Sequence, residues 1–67
     1  MNFKEAYKLM KRGRLVRRHG WKGYWYWDAH KSTIILMCGD GRVLDIRETE
    51  DVDFTMSNIL ADDWEEV

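Results

Sequence analysis

The sequence predicts an α+β domain: an N-terminal helix packed on a small antiparallel β-sheet, built as a meander plus a closing C-terminal strand. Three observations carry this prediction. Residues 2–13 hold an apolar stripe at helical spacing between a start signal and a stop signal. Residues 14–46 alternate short β-favouring runs with glycine-containing turns. Residues 61–67 return to an extended pattern around Trp64. With 67 residues, the chain reads as one domain spanning 1–67.

Each element follows from its own residues. Asn2 can cap a helix, and Glu5 three residues later completes a capping-box pattern. Phe3, Ala6, Tyr7 and Met10 obey the i, i+3, i+4, i+7 rule, and Gly13 is placed to end the helix, predicted over Phe3–Arg12. Arg14–Arg18 reads as a short strand, and Gly20 and Gly23 bracket a tight turn at Trp21-Lys22. Tyr24–Asp28 is rich in β-favouring aromatics; if extended, it points Trp25 and Trp27 one way and Tyr24, Tyr26 and Asp28 the other. Thr33–Cys38 is apolar on both faces, as a central or interface strand would be. Gly39-Asp40-Gly41 is a hairpin signal, and Arg42–Ile46 returns with Val43 on one face and Leu44 and Ile46 on the other. Acidic residues 48–53 read as an exposed loop. Phe54–Leu60 reads as a short helical turn capped by Thr55 or Ser57, with Ile59 and Leu60 inward. Trp64 then anchors the closing strand.

Composition narrows the function. A chain this small hides only about 60% of its unfolded surface and stays marginal without extra support. Cys38 is the only cysteine, so no internal disulfide forms. His19, His30 and Cys38 lack the paired spacing of a zinc site. An efficient aromatic core or self-association remains. A lone thiol with no signal-peptide h-region fits a reducing cytoplasm, and the longest apolar run, Ile34–Cys38, is far too short to span a bilayer. The charge is split: residues 1–31 carry nine Lys/Arg against two acids, residues 32–67 two Arg against ten acids. Either the halves neutralise each other within or between subunits, or the basic half presents a face to an anionic ligand. The acidic half argues against a nucleic-acid polymer as partner.

Neither an enzyme nor a cofactor is expected. Ser32, Ser57 and Cys38 have no nucleophile motif around them, both His are isolated, and the adjacent pairs Asp62-Asp63 and Glu65-Glu66 point to opposite faces if extended. What stands out is Arg17–Trp27, RRHGWKGYWYW, with five aromatic rings and three Lys/Arg. Trp64 reads as core, and Trp25 and Trp27 as core or subunit interface. Trp21 reads equally as a lid on the core or as a stacking platform. Arg18 reads as a phosphate grip or as an ion pair with the acidic half. Lys22 is a ligand charge or a solvated turn residue. Asp63 bonds either ligand or turn backbone.

Arg18-x-Gly20-Trp21-Lys22-Gly23 and Asn58-Ile59-Leu60-Ala61-Asp62-Asp63-Trp64 together resemble the Thoeris anti-defence type two family of phage and prophage proteins, and Asn2-Phe3-x-x-Ala6 matches its opening. The likeness runs over nearly the whole chain. It implies a non-catalytic sponge, a homotetramer arranged as a dimer of dimers. Between its subunits such a sponge sequesters a cyclic nucleotide immune signal, either glycocyclic ADP-ribose or a cyclic di- or trinucleotide. Carried onto matching positions, the ligand-binding residues are Arg18, Gly20, Trp21, Gly23, Asn58 and Asp63, with Thr55 at the family's Ser/Thr position. Lys22 replaces the usual Asn and adds a charge; Asn58 stands where many members have Asp. On this reading Trp21 stacks on a base, Arg18 and Lys22 meet phosphate, Asn58 and Thr55 read a base edge or ribose, and Gly20 and Gly23 admit close backbone approach. A competing reading makes the aromatic-basic stretch a protein-interaction surface, as in an inhibitor or toxin-like factor. A single-stranded nucleic-acid binder is the third.

Overall fold

Helix α1 (Phe3–Lys11) starts and stops where its local chemistry says it should. In the computed structural model, which describes residues 1–67, the Asn2 side chain accepts from the Glu5 N–H at 3.0 Å and Glu5 Oε1 accepts from the Asn2 N–H at 3.3 Å. Gly13 adopts φ +88°. Its N–H donates to the Met10 carbonyl at 2.9 Å, and the Arg14 N–H reaches the Leu9 carbonyl at 3.1 Å. This pair of bonds closes the orphaned end of the helix as a Schellman motif. Ala6 and Met10 are fully buried, Phe3 is half-buried, and Tyr7 sits at the edge of the stripe.

The rest of the chain runs β1 (Val16–Arg18), β2 (Tyr24–Asp28), β3 (Thr33–Met37), β4 (Val43–Asp45), a 3-10 turn (Ile46–Glu48), α2 (Val52–Ile59) and β5 (Trp64–Glu66). The five strands form one antiparallel sheet in the order β4-β3-β2-β1-β5. The meander is thus closed on its far edge by the C-terminal strand, and β3, apolar on both faces, is an interior strand. Cross-strand pairing places Val16, Trp25, Trp27, Ile34, Leu36, Leu44 and Trp64 on one face and Arg17, Tyr24, Tyr26, Ile35, Met37 and Val43 on the other. Helix α1 lies on the first face, over β1, β2 and β5. There Phe3 meets Trp25 edge-on at 6.0 Å and Trp64 at 5.2 Å. Tyr7 stands perpendicular to Trp27 at 6.0 Å, and Lys11 Nζ covers the same indole 3.9 Å from its centre.

The acidic half of the chain meets the basic half along the β1/β5 edge. Arg17 bonds Glu65, its register partner, at 3.0 Å, and Arg14, just ahead of β1, reaches diagonally to Glu66 at 3.1 Å. Part of the charge division is therefore internal neutralisation. These pairs are largely exposed and contribute little stability each.

Three elements differ from the sequence expectation. The first strand begins at Val16 because Arg14 is drawn into the α1 cap. The return strand ends at Asp45, whose carboxylate accepts from the Arg47 N–H at 2.9 Å and turns the chain into the 3-10 segment. Residues 48–53 are not simply loop. Asp51 caps α2 by accepting from the Phe54 N–H at 2.9 Å, so the helix starts before Thr55 and Ser57. Those two hydroxyls instead donate back to the Asp51 and Asp53 carbonyls at 3.0 and 2.8 Å. The longer helix rotates Leu60 outward, leaving it 78% exposed, while Ile59 packs on the core.

Gly23 is set by packing, not by conformation. A Cβ there would collide with the Met37 carbonyl oxygen and crowd the Cys38-Gly39 peptide. Gly23→Ala is expected to lower stability by about 1–3 kcal/mol, read as a shift in the urea midpoint. Gly39→Ala, whose Cβ meets Lys22 Cβ at an ordinary 3.4 Å, should cost clearly less.

Candidate ligand-binding cleft

Helix α1 has nine residues and is roughly 13 Å long, too short to cover the whole sheet face. It stops over β2, and of the residues beyond it on this face Leu36 is buried while Leu44, on the edge strand, is 37% exposed. A cleft of about 960 Å³ occupies that end. Its walls are the Gly20–Gly23 turn, the β3–β4 hairpin, residues 48–51 and the first turn of α2.

Five of the eight expected site residues line this cleft: Gly20, Trp21, Lys22, Gly23 and Thr55. Trp21 has two jobs. One side of its indole packs on the core, edge-on to Trp64 at 5.4 Å and tilted against Trp25 at 5.8 Å. The residue is only half-buried and borders the cleft, so its packing on the core leaves part of it exposed there. Lys22 is exposed and forms no ion pair. Gly20 takes φ +86° with open space where a Cβ would point; its conformation is what the turn requires. Gly23 is approached by the hairpin backbone, which accounts for it without a ligand. Thr55 is buried; its hydroxyl donates to the Asp51 carbonyl and meets Thr49 Oγ1 at 3.4 Å.

Arg18, Asn58 and Asp63 lie outside the cleft lining and bond each other. Arg18 grips Asp63 with two donors, Nε to Oδ1 at 2.7 Å and Nη2 to Oδ2 at 3.3 Å, and gives Nη1 to Asn58 Oδ1 at 2.8 Å. Asn58, 2% exposed, passes the chain of bonds on through Nδ2 to the Phe54 carbonyl at 3.0 Å. Its own carbonyl accepts from Trp64 Nε1 at 2.9 Å. The Asp63 carbonyl accepts from the His19 N–H at 3.0 Å. The hydrogen bond from Arg18, joined by its charge, holds the Asp63 carboxyl below the ordinary carboxylate range, and Asp63 raises Arg18 in return. Arg18 is thus held in an ion pair with the acidic half, and Asn58 links the turn to α2.

Sequence reasoning missed Phe54, Leu44, Glu48 and Glu50, which also line the cleft. Phe54 is 58% exposed and belongs to no core cluster. The available signal was a large apolar residue directly after an acidic run, on the first turn of a helix whose cap, Asp51, stands three residues before it. No three His, Cys, Asp or Glu side chains converge as a metal site would require. No helix is long and apolar enough to cross a membrane.

A family model described as a Thoeris anti-defense 2-like domain matches residues 1–67, the full length described above. None of the curated proteins matches the chain.

The Arg18–Asp63–Asn58 network can be probed at two of its members. Asn58→Ala removes both the Arg18 acceptor and the Phe54 carbonyl's donor, and is expected to cost roughly 1–3 kcal/mol in chemical denaturation. Asp63 has a depressed folded-state pKa, so its contribution is complete above the unfolded carboxylate value and is lost as pH falls through the folded one. The urea midpoint should therefore fall as pH drops through and below the ordinary carboxylate range, and Asp63→Asn should show a smaller part of that fall.

Proposed function

The chain belongs to the Thoeris anti-defense 2-like family, and from that premise we propose that it is a sponge: it binds a cyclic nucleotide immune signal and holds it without turnover. The signal is a glycocyclic ADP-ribose or a cyclic di- or trinucleotide. The observation that carries the reading is the Trp21-Lys22 pair on the Gly20–Gly23 turn, bordering a cleft of about 960 Å³. That volume lies in the range of small-molecule sites. Trp21 is fixed from behind by Trp25 and Trp64, so stacking a base on it costs little side-chain ordering. Lys22 supplies the free cation for a phosphate, and Thr55 and Gly20 complete the lining. Arg18, Asn58 and Asp63 act here as supports for Trp21 and Phe54.

Self-association, as a homotetramer built from dimers, belongs to the same proposal. The sheet face away from α1 carries Tyr24, Tyr26, Met37 and Val43, with Tyr24 and Tyr26 adjacent at 6.3 Å and Val43 59% exposed. A small domain with an open apolar sheet face gains stability by covering it. The competing protein-interaction reading is weaker on geometry. The stretch from Arg17 to Trp27 does not present one surface: Trp25 is buried, and Arg17 and Arg18 are engaged by Glu65 and Asp63.

Isothermal titration against glycocyclic ADP-ribose isomers and cyclic di- and trinucleotides tests the sponge. One of them should bind, and Trp21→Ala should weaken it by about tenfold or more. Absence of heat with every ligand, on protein shown by circular dichroism to be folded and by light scattering to be oligomeric, rejects the reading.

A further inference from the structure

The charges that line the cleft run against an anionic ligand. Lys22 and Arg42 are the cations; Asp40, Glu48, Glu50 and Asp51 are the acids, a surplus of two negative charges. Arg42 is not free, since its Nε bonds Asp40 at 2.8 Å. Asp51 is turned to the α2 cap. That leaves Glu48 and Glu50, both exposed and in no salt bridge; Arg47 beside Glu48 is bonded to Asp45, and Lys22 is the one unpaired cation in the lining. The apolar part of the lining has the opposite character. Trp21, Phe54 and Leu44 come from three separate segments, and Phe54 and Leu44 are 58% and 37% exposed. Phe54 is large and aromatic, is held by a capped helix turn, and is not a member of the buried core. A flat uncharged ring matches those walls, and a phosphate does not.

Resting on the sponge reading and deepening it, we infer that the cleft takes its ligand ring first: a neutral nucleobase enters against Trp21 and Phe54, Glu48 and Glu50 keep phosphate out of the interior, and the phosphates stay at the exposed rim beside Lys22. Phe54 is then a second stacking residue. Glu48 and Glu50 are specificity determinants that act by repulsion. Affinity on this account comes from stacking and apolar burial. Its dependence on salt is flat or rises with added salt, opposite in sign to a site built on phosphate contacts.

The test is a ¹⁵N nuclear magnetic resonance titration of the full chain with adenosine and guanosine, and with their 5′-monophosphates, at low ionic strength. The nucleosides should bind at least as tightly as the monophosphates and shift the Trp21 indole and the Phe54 and Thr55 amides. The double variant Glu48→Gln/Glu50→Gln should tighten monophosphate binding by roughly three- to tenfold while leaving the nucleosides within about twofold. Phe54→Ala should weaken both by about tenfold, and Phe54→Trp should restore them. Monophosphates binding more tightly than nucleosides to the unaltered chain, shifts centred away from the cleft, or no nucleoside binding overturns the inference. The two readings fail separately. Nucleosides seated in the cleft with no cyclic nucleotide bound leave ring-first binding standing and remove the sponge. Cyclic nucleotides whose affinity falls steeply with salt and ignores the Glu substitutions do the reverse.

Discussion

One indole joins the parts of this fold that local sequence alone would leave apart. Trp64 is 2% exposed, and its ring meets Phe3 of α1, Trp21 of the turn and Trp25 of β2 at 5.2, 5.4 and 5.0 Å. Its Nε1 reaches the carbonyl of Asn58 at the end of α2. The helix, the turn, the sheet and the second helix therefore share a single contact. Aromatic pairs of this kind add about 0.5–1.5 kcal/mol each beyond the area they bury. In a chain with no disulfide, this aromatic cluster supplies what a crosslink supplies in other small domains. It also fixes the cleft, because the face of Trp21 that does not pack on Trp64 and Trp25 borders the open end of the sheet.

The charged groups follow the same logic. The division into a basic and an acidic half leaves two readings open, and both find a place. Along the β1/β5 edge the halves cancel, through Arg14, Arg17 and Arg18. The pair of Arg18 with Asp63 differs from the other two because a third group, the buried amide of Asn58, ties it to α2. Arg42 and Arg47 pair with their near neighbours Asp40 and Asp45, and the remaining cations stay at the surface, on α1 and its end and at Lys22 and Lys31. Residues 48–51, across the cleft from the turn in sequence and on another wall of it in space, are acidic and do not meet them.

The elements with complete local signals were legible. The capping box at Asn2-Glu5, the apolar stripe and Gly13 define α1 without help from the rest of the chain. The alternation in Tyr24–Asp28 and the apolar run in Thr33–Met37 set the faces of β2 and β3. The second helix was only half legible, because Asp51 reads equally as one more residue of an acidic loop and as a cap; tertiary docking through Asn58 and Ile59 decides between them. The site divides the same way. Gly20-Trp21-Lys22-Gly23 is contiguous, and a contiguous turn carries its own geometry. Arg18 lies 40 residues from Asn58 and 45 from Asp63 in sequence, and no pattern states whether polar groups at that distance face a ligand or each other. Phe54 escaped for the converse reason: an exposed phenyl has meaning only once the cleft beside it is known.

A binder of small cyclic nucleotides works among polymers that offer the same bases and far more phosphate. Attraction to phosphate gains affinity for both and favours the polymer, since every added cation strengthens the polymer more than the small ring. A cleft that stacks a base while its carboxylates repel phosphate reverses that ordering. A free ring carries few phosphates and can hold them at the rim. A strand must bring a charged backbone past Glu48 and Glu50 on both sides of each base. On this account the acidic half of the sequence is part of the recognition chemistry, because it rejects the wrong ligand while Trp21 and Phe54 hold the right one.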